Sequence, residues 1–298
     1  MKNKNMISEL LKTVNGGVYR ILFLVITVTV AENLNAQSVD VVVRDNGVER
    51  QESIDLPKSM TYPIDSLLND WKAKTYLQLG KDCNTSEENP YFSDSIYVDR
   101  LSRIPSVMEM PYNDVVRKFI DMYASRLREQ VSFMLSASNF YIPIFEEALD
   151  AYNLPLELKY LPVIESALNP SAVSRAGASG LWQFMIGTGK IYGLEVNSLV
   201  DERRDPIKAT WAAARYLKDL YEIYQDWNLV IAAYNCGPGN INKAIRRSGG
   251  KNDYWSIYNL LPKETRGYVP AFIAANYLMT YYCDHNICPM ETDIPANT

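Results

Sequence analysis

The residue that invites chemistry is Glu165. Positions 154, 158, 161, 165 and 168 follow spacings of four and three, which on a helix places them in one stripe. Four of the five are leucine and the fifth is Glu165. A carboxylate set in an apolar stripe must be paired, kept protonated or turned into a cleft, because burying it bare is strongly unfavourable. Neutralisation by a nearby Arg or Lys is the plain alternative to catalysis. The residues that follow favour a cleft: Asn169 and Pro170 stop the helix, and a loop of small residues, Gly177, Ala178, Ser179 and Gly180, delivers Trp182, Gln183 and Met185 together.

The elements around this stretch read as helices. Pro155 suits the first turn of the Glu165 helix, and Pro162 inside it should kink it just before the glutamate. Upstream, Asn113 can cap a helix carrying Val116, Phe119, Ile120, Tyr123 and Leu127 on one side, and a run over 129–149 should be divided at Pro143. Downstream, Asp205 and Pro206 start a longer helix whose Ile207, Trp211, Ala214, Leu217, Tyr221 and Tyr224 read as core. An apolar run over 228–235 ends at Tyr234 and Asn235, Gly237-Pro238-Gly239 turns the chain, and Asn240 can cap the next helix. A last helix from Pro262 carries Tyr268, Phe272, Ala275, Met279 and Tyr282. Before residue 95 the pattern is weak: a short strand over 39–44, a helix over 64–79 and a polar loop over 81–90.

At 298 residues and 47% hydrophobic, the chain has an ordinary globular composition able to bury a sizeable core. Twenty-one tyrosines and five tryptophans exceed what packing alone needs, and aromatic faces suit sugar rings. Residues 1–36 have the form of an export signal: Lys2, Lys4, Lys12 and Arg20 precede an apolar run over 21–31 too short for an ordinary membrane span, and Ala36 offers a cleavage point. A retained N-terminal anchor is the alternative. The net charge of −5 would move to near −7 without that segment, which holds four basic and two acidic residues. An acidic chain is a poor candidate for nucleic acid. One histidine, His285, rules out a two-histidine zinc site, and its place near the tail disfavours a histidine-based triad. Cys283 and Cys288 could pair locally, with Cys83 left over.

Four ordered motifs carry a resemblance. Glu165-Ser166, then 180–185 with Thr188, then 233–239, then Glu264-Thr265 with Tyr268-Val269-Pro270, resemble the motifs of lytic transglycosylases with the soluble-transglycosylase, goose-lysozyme-like catalytic domain, nearest to the membrane-bound murein transglycosylase D group. The resemblance covers roughly 97–283. It implies a mainly α fold: a lysozyme-like catalytic domain over 141–285, a helical extension over 97–140, a lead segment over 37–96 and a loose tail over 286–298.

The resemblance also implies a reaction. Cleavage of the β-1,4 bond between N-acetylmuramic acid and N-acetylglucosamine in peptidoglycan would need Glu165, in apolar surroundings, as general acid and then as base on the C6 hydroxyl of the same muramic acid, closing a 1,6-anhydro ring without water. Carried over by position, Ser166 would contact substrate or orient Glu165, Gly180 and Gln183 would hold the N-acetyl sugar, and Met185 would pack on it. Tyr234 and Asn235 would line the cleft opposite the glutamate, with Tyr268 hydrogen-bonding near it. Each has a packing alternative. No metal or cofactor is expected, the expected partner is the peptidoglycan glycan strand, and the expected location is the periplasm, in association with membrane or wall. Two departures stand out: Ile186-Gly187 where the family continues with Pro after Met185, and Cys236 where Ala or Ser is usual, which reads as a buried free thiol. The same-class alternative is a hydrolytic muramidase using a second carboxylate such as Asp201, Glu202 or Asp205. The other alternative is a wall-binding protein without turnover.

Overall fold

In the computed structural model, which describes residues 38–45, 48–56, 77–79 and 88–292, the architecture follows from one helix that is apolar all round. That helix, Lys263–Tyr281, buries Thr265 and every residue from Gly267 to Met279, as a helix without a polar face must. It is α10 in the numbering used here. Before it come α1 (Asp94–Arg103), α2 (Asp114–Ala124), α3 (Arg128–Ala151), α4 (Leu161–Ser166), α5 (Ile186–Ile191), α6 (Pro206–Tyr224), α7 (Trp227–Cys236), α8 (Pro238–Arg247) and α9 (Tyr254–Ile257). Helix α10 lies against α2, α7 and α4, while α6 is sandwiched between α3 and α7. The described residues from Val39 onward form one compact unit. The expectation of a mainly α chain is met. The export signal and most of the expected 64–79 helix lie outside the described residues.

The small β content sits at the periphery. Strands β1 (Ser38–Asp45) and β2 (Val48–Asp55) form a two-stranded sheet where a single strand is read from 39–44. The end of the expected 64–79 helix is instead a strand, β3 (Leu77–Leu79), antiparallel to β4 (Met290–Thr292), so residues 290–292 are not loose. Strand β2 packs on α10 at Gly267, where a Cβ would stand 2.7 Å from Ile54 Cγ2 and 2.9 Å from the Asp55 carbonyl oxygen. Arg266 pairs with Glu52 beside that contact.

Prolines act differently from their sequence reading. Helix α3 runs unbroken through Pro143. Pro270 lies inside α10, and as a proline it cannot donate to the Arg266 carbonyl four residues back. That oxygen instead accepts from the Tyr254 hydroxyl at 2.9 Å. Caps follow expectation at Asn113, whose Oδ1 accepts from Val115 and Val116 at 3.0 Å, and at Asp205, which accepts from Ile207 and Lys208 at 2.9 Å. Asn240 is not a cap. Gly237, at φ +82°, both ends α7 and starts α8, and Pro238 takes the first helical position. Ile207 is 57% exposed and is not core.

His285 is fully buried, with ring contacts to Phe92, Tyr97 and Tyr277 and with its nitrogens on Asn89 Oδ1 and Tyr277 Oη. Burial, then the Arg100 and Arg128 charges, push its pKa down from 6.5 to about 4. Between those values the unfolded chain binds a proton that the folded one refuses, so stability is full above pH ~6.5 and falls as pH drops toward 4. Urea titrations across that window should show a loss of about 3 kcal/mol that His285→Gln lacks. Parallel curves for the two proteins would exclude it. Cys288 is disulfide-bonded whereas Cys283 is free, so the local pairing is not formed and the partner of Cys288 lies outside the described residues.

Candidate active site

Glu165 is carried by a short α-turn, and not by the continuous helix that its spacing suggests. Residues 156–160 are 3-10, Leu161 opens α4, and Ala167 and Leu168 take left-handed φ values of 51° and 60°. The helix therefore stops at Ala167, ahead of Asn169. Pro162 falls in the first turn of α4, where its missing N–H breaks no helical bond, so there is no kink. The leucines of the stripe are still buried, Leu158, Leu161 and Leu168 completely, and Glu165 alone is half-exposed, in a cleft of about 380 Å³. Such a volume suits a small-molecule or sugar site.

Ser166 points the other way. It is completely buried, with Pro162 and Leu181 carbonyls at 3.1 and 2.9 Å from its Oγ, and it does not line the cleft. Its placement ties α4 to the turn over 180–183. Gly180 stands at φ +83°, and a Cβ there would fall 1.8 Å from the Arg203 carbonyl oxygen. Its N–H donates to the Ala172 carbonyl at 2.9 Å and its own carbonyl accepts from Gln183, so this backbone is occupied internally. Gln183 does line the cleft. Its Nε2 donates to the Gly180 and Ala172 carbonyls at 2.8 and 3.2 Å, which leaves Oε1 as the acceptor the side chain can offer. Met185 lines the cleft and is 46% exposed.

The opposite wall comes from α7 and α10. Tyr234 donates to the Trp182 carbonyl at 2.8 Å, so its oxygen is left to accept. Asn235 accepts from buried Thr265 Oγ1 at 2.9 Å, leaving its NH2 as a donor. The Tyr268 hydroxyl donates to Glu165 Oε1. Burial first, and then the Glu165 charge, raise both phenols well above their ordinary pKa, so both keep their protons through neutral pH. Cys236 also lines the cleft; it is free but only half-buried, and burial raises its pKa, so it is a thiol and a poor nucleophile.

The three carboxylates weighed as partners for Glu165 are engaged elsewhere. Asp201 pairs with Arg203 at 2.7 Å, Glu202 with Lys208, and Asp205 caps α6. The carboxylate that does share the cleft is Glu264, present in the fourth motif but not singled out as a site residue. Arg203 escapes sequence reading altogether. Only 6% exposed, it donates to the Gly177 and Phe184 carbonyls at 2.7 and 2.9 Å and so fastens the loop that delivers Gln183 and Met185. Among the described residues no group of His, Cys, Asp and Glu could hold a metal ion.

Residues 143–257 match the transglycosylase SLT domain. Over 176 residues the chain is 35% identical to the membrane-bound lytic murein transglycosylase D of Escherichia coli, covering 58% of this chain and 38% of that protein. It is 33% identical over 124 residues to the soluble lytic murein transglycosylase of the same organism, covering 40% of this chain and 19% of the other. The crystal structure of the 70 kDa soluble lytic transglycosylase of that organism aligns at 30% identity with a TM-score of 0.42, over 48% of this chain and 24% of that one. The chain spans under two fifths of the length of either curated relative.

Proposed function

We propose that this chain is a lytic transglycosylase that cuts the β-1,4 bond between N-acetylmuramic acid and N-acetylglucosamine in peptidoglycan glycan strands, outside the cytoplasmic membrane. The observation that carries this reading is the convergence of Glu165, Tyr268, Tyr234, Asn235 and Gln183 on one cleft within and beside the matched SLT domain. Glu165 protonates the leaving glycosidic oxygen. The positive charge that develops on C1 of muramic acid calls for a nucleophile, and the C6 hydroxyl of the same sugar supplies it. The glutamate, now ionised, removes that hydroxyl's proton as the C6–O–C1 bond closes. Acid and base are the same group, so the proton is returned and no water is consumed.

The neighbours supply what a sugar needs. The Asn235 NH2 and Gln183 Oε1 offer one donor and one acceptor to an N-acetyl group, Met185 offers an apolar contact, and Tyr268 keeps the carboxylate aimed. Removing that last hydrogen bond by Tyr268→Phe should lower kcat about tenfold or more while KM changes little, because the bond orients the reacting group without holding the ground-state sugar. A tenfold rise in KM at unchanged kcat would assign Tyr268 to sugar binding instead. The presence of Glu264 in the cleft supports a second reading, hydrolysis by two carboxylates. Mass spectrometry of borohydride-treated products from purified peptidoglycan separates the two. Anhydro ends, one water lighter and resistant to reduction, are expected; reducible ends would mean hydrolysis, and no soluble product would mean a wall-binding protein.

A further inference from the structure

A second cavity, of about 610 Å³ and sharing no residue with the cleavage cleft, opens where the chain enters the 3-10 segment before Glu165. Helix α6 separates the two. Its Tyr216 lines the cleft, while Lys218, Tyr221 and Glu222 line the second cavity; at 3.6 residues per turn these point to the far side of the helix. The floor is aromatic: Tyr221 and Trp227 stack on each other at 4.1 Å and 12°, which leaves at most one outer face of the pair free, and the Tyr152 ring, 5.8 Å from the Lys218 ammonium, also lines the cavity. Leu154 and Pro155 add apolar wall.

Glu157 is what makes this cavity more than a surface dent. The residue is 7% exposed, yet no cation meets its carboxylate among the described residues. One oxygen, Oε1, accepts from the Val107 N–H at 2.6 Å, and among the described residues no donor meets the other, while the residue lines the cavity. A nearly buried carboxylate with a vacant acceptor, in an aromatic pocket, is matched by a ligand that brings donors.

The geometry points to a neutral saccharide ring as that ligand. The apolar C–H face of a pyranose fits the outer ring face that the Tyr221–Trp227 stack leaves free. Its hydroxyls donate to Glu157 and Glu222 and accept from Lys218, a pairing that a purely apolar side chain cannot make. That this ring belongs to a glycan strand held apart from the cleavage cleft rests on the proposed function, whereas the saccharide class is argued from the pocket itself.

Calorimetric titration of the full chain with the trisaccharide of N-acetylglucosamine tests this. Two variants carry the test: Trp227→Ala, which removes half the floor, and Leu156→Arg, which fills the mouth from a position that is 43% exposed and so leaves the fold intact. The expected result is a binding site, distinct from any at the cleavage cleft, that both variants weaken at least tenfold and that Glu165→Ala leaves unchanged. Trisaccharide binding that neither pocket variant alters, or a pocket that takes a diaminopimelate-containing peptide and ignores the trisaccharide, would overturn it. Failure of the transglycosylase reading would show separately, as absent anhydro products with the pocket variants still distinguishable from the parent.

Discussion

Glu165→Gln should abolish release of soluble fragments from peptidoglycan, a loss of about 10²–10⁴-fold in kcat, while the protein still binds its wall substrate and unfolds at the same urea concentration. The substitution keeps the shape and the acceptor that the Tyr268 hydroxyl addresses, and removes only the ability to give and take a proton. Because one group serves as both acid and base in the proposed reaction, both halves of the cycle fail together. Glu264→Gln is the informative companion. Ring closure by the C6 hydroxyl asks nothing of a second carboxylate, so a loss below tenfold is expected there. Equal losses for Glu165→Gln and Glu264→Gln would refute the single-carboxylate scheme, and turnover within tenfold of the parent for Glu165→Gln would remove this residue from the chemistry.

Much of this is legible in the sequence. The leucines at 158, 161 and 168 are buried as the stripe requires, even though the segment that carries them is half 3-10 and half α. A spacing of three, as between Leu158 and Leu161, brings residues to one side in either helix, so their burial survives an error in helix type. The left-handed Ala167 and Leu168 gave no such signal. Neither residue favours that conformation, and it is held by tertiary burial together with the bonds from their N–H groups to the Val163 and Pro162 carbonyls. Pro143 misled because a proline is read as a divider, yet in α3 it is accommodated within a continuous helix. Asn240 misled because a polar residue after Gly-Pro-Gly resembles a cap, when Gly237 already ends one helix and begins the next.

The loop that faces Glu165 depends on contacts no local pattern records. Arg203 reaches back 26 and 19 residues to the Gly177 and Phe184 carbonyls, and its charge is matched by Asp201. A periodicity argument sees only an Arg in a polar stretch. The resemblance singles out Gly180 as sugar-binding backbone, but its N–H is already committed to Ala172 and its α-carbon is pressed against Arg203.

Gly180→Ala therefore tests packing more than binding. A methyl group 1.8 Å from the Arg203 carbonyl oxygen cannot be accommodated without moving one backbone from the other, and the left-handed φ adds about 1–2 kcal/mol of its own. Arg203→Ala attacks the same junction from the other side, leaving two carbonyls and Asp201 without their buried partner, a change of about 3–5 kcal/mol. Gly177→Ala is the control, since it shares a φ near +85° but meets nothing within 4 Å. Urea unfolding should rank Gly180→Ala and Arg203→Ala together, each several-fold more destabilising than Gly177→Ala. The double variant should cost less than the sum of its parts, because the two changes break one junction. If Gly180→Ala instead left stability intact and raised KM for peptidoglycan alone, its backbone would be a sugar ligand after all, and the bond to Ala172 would have to open when substrate enters.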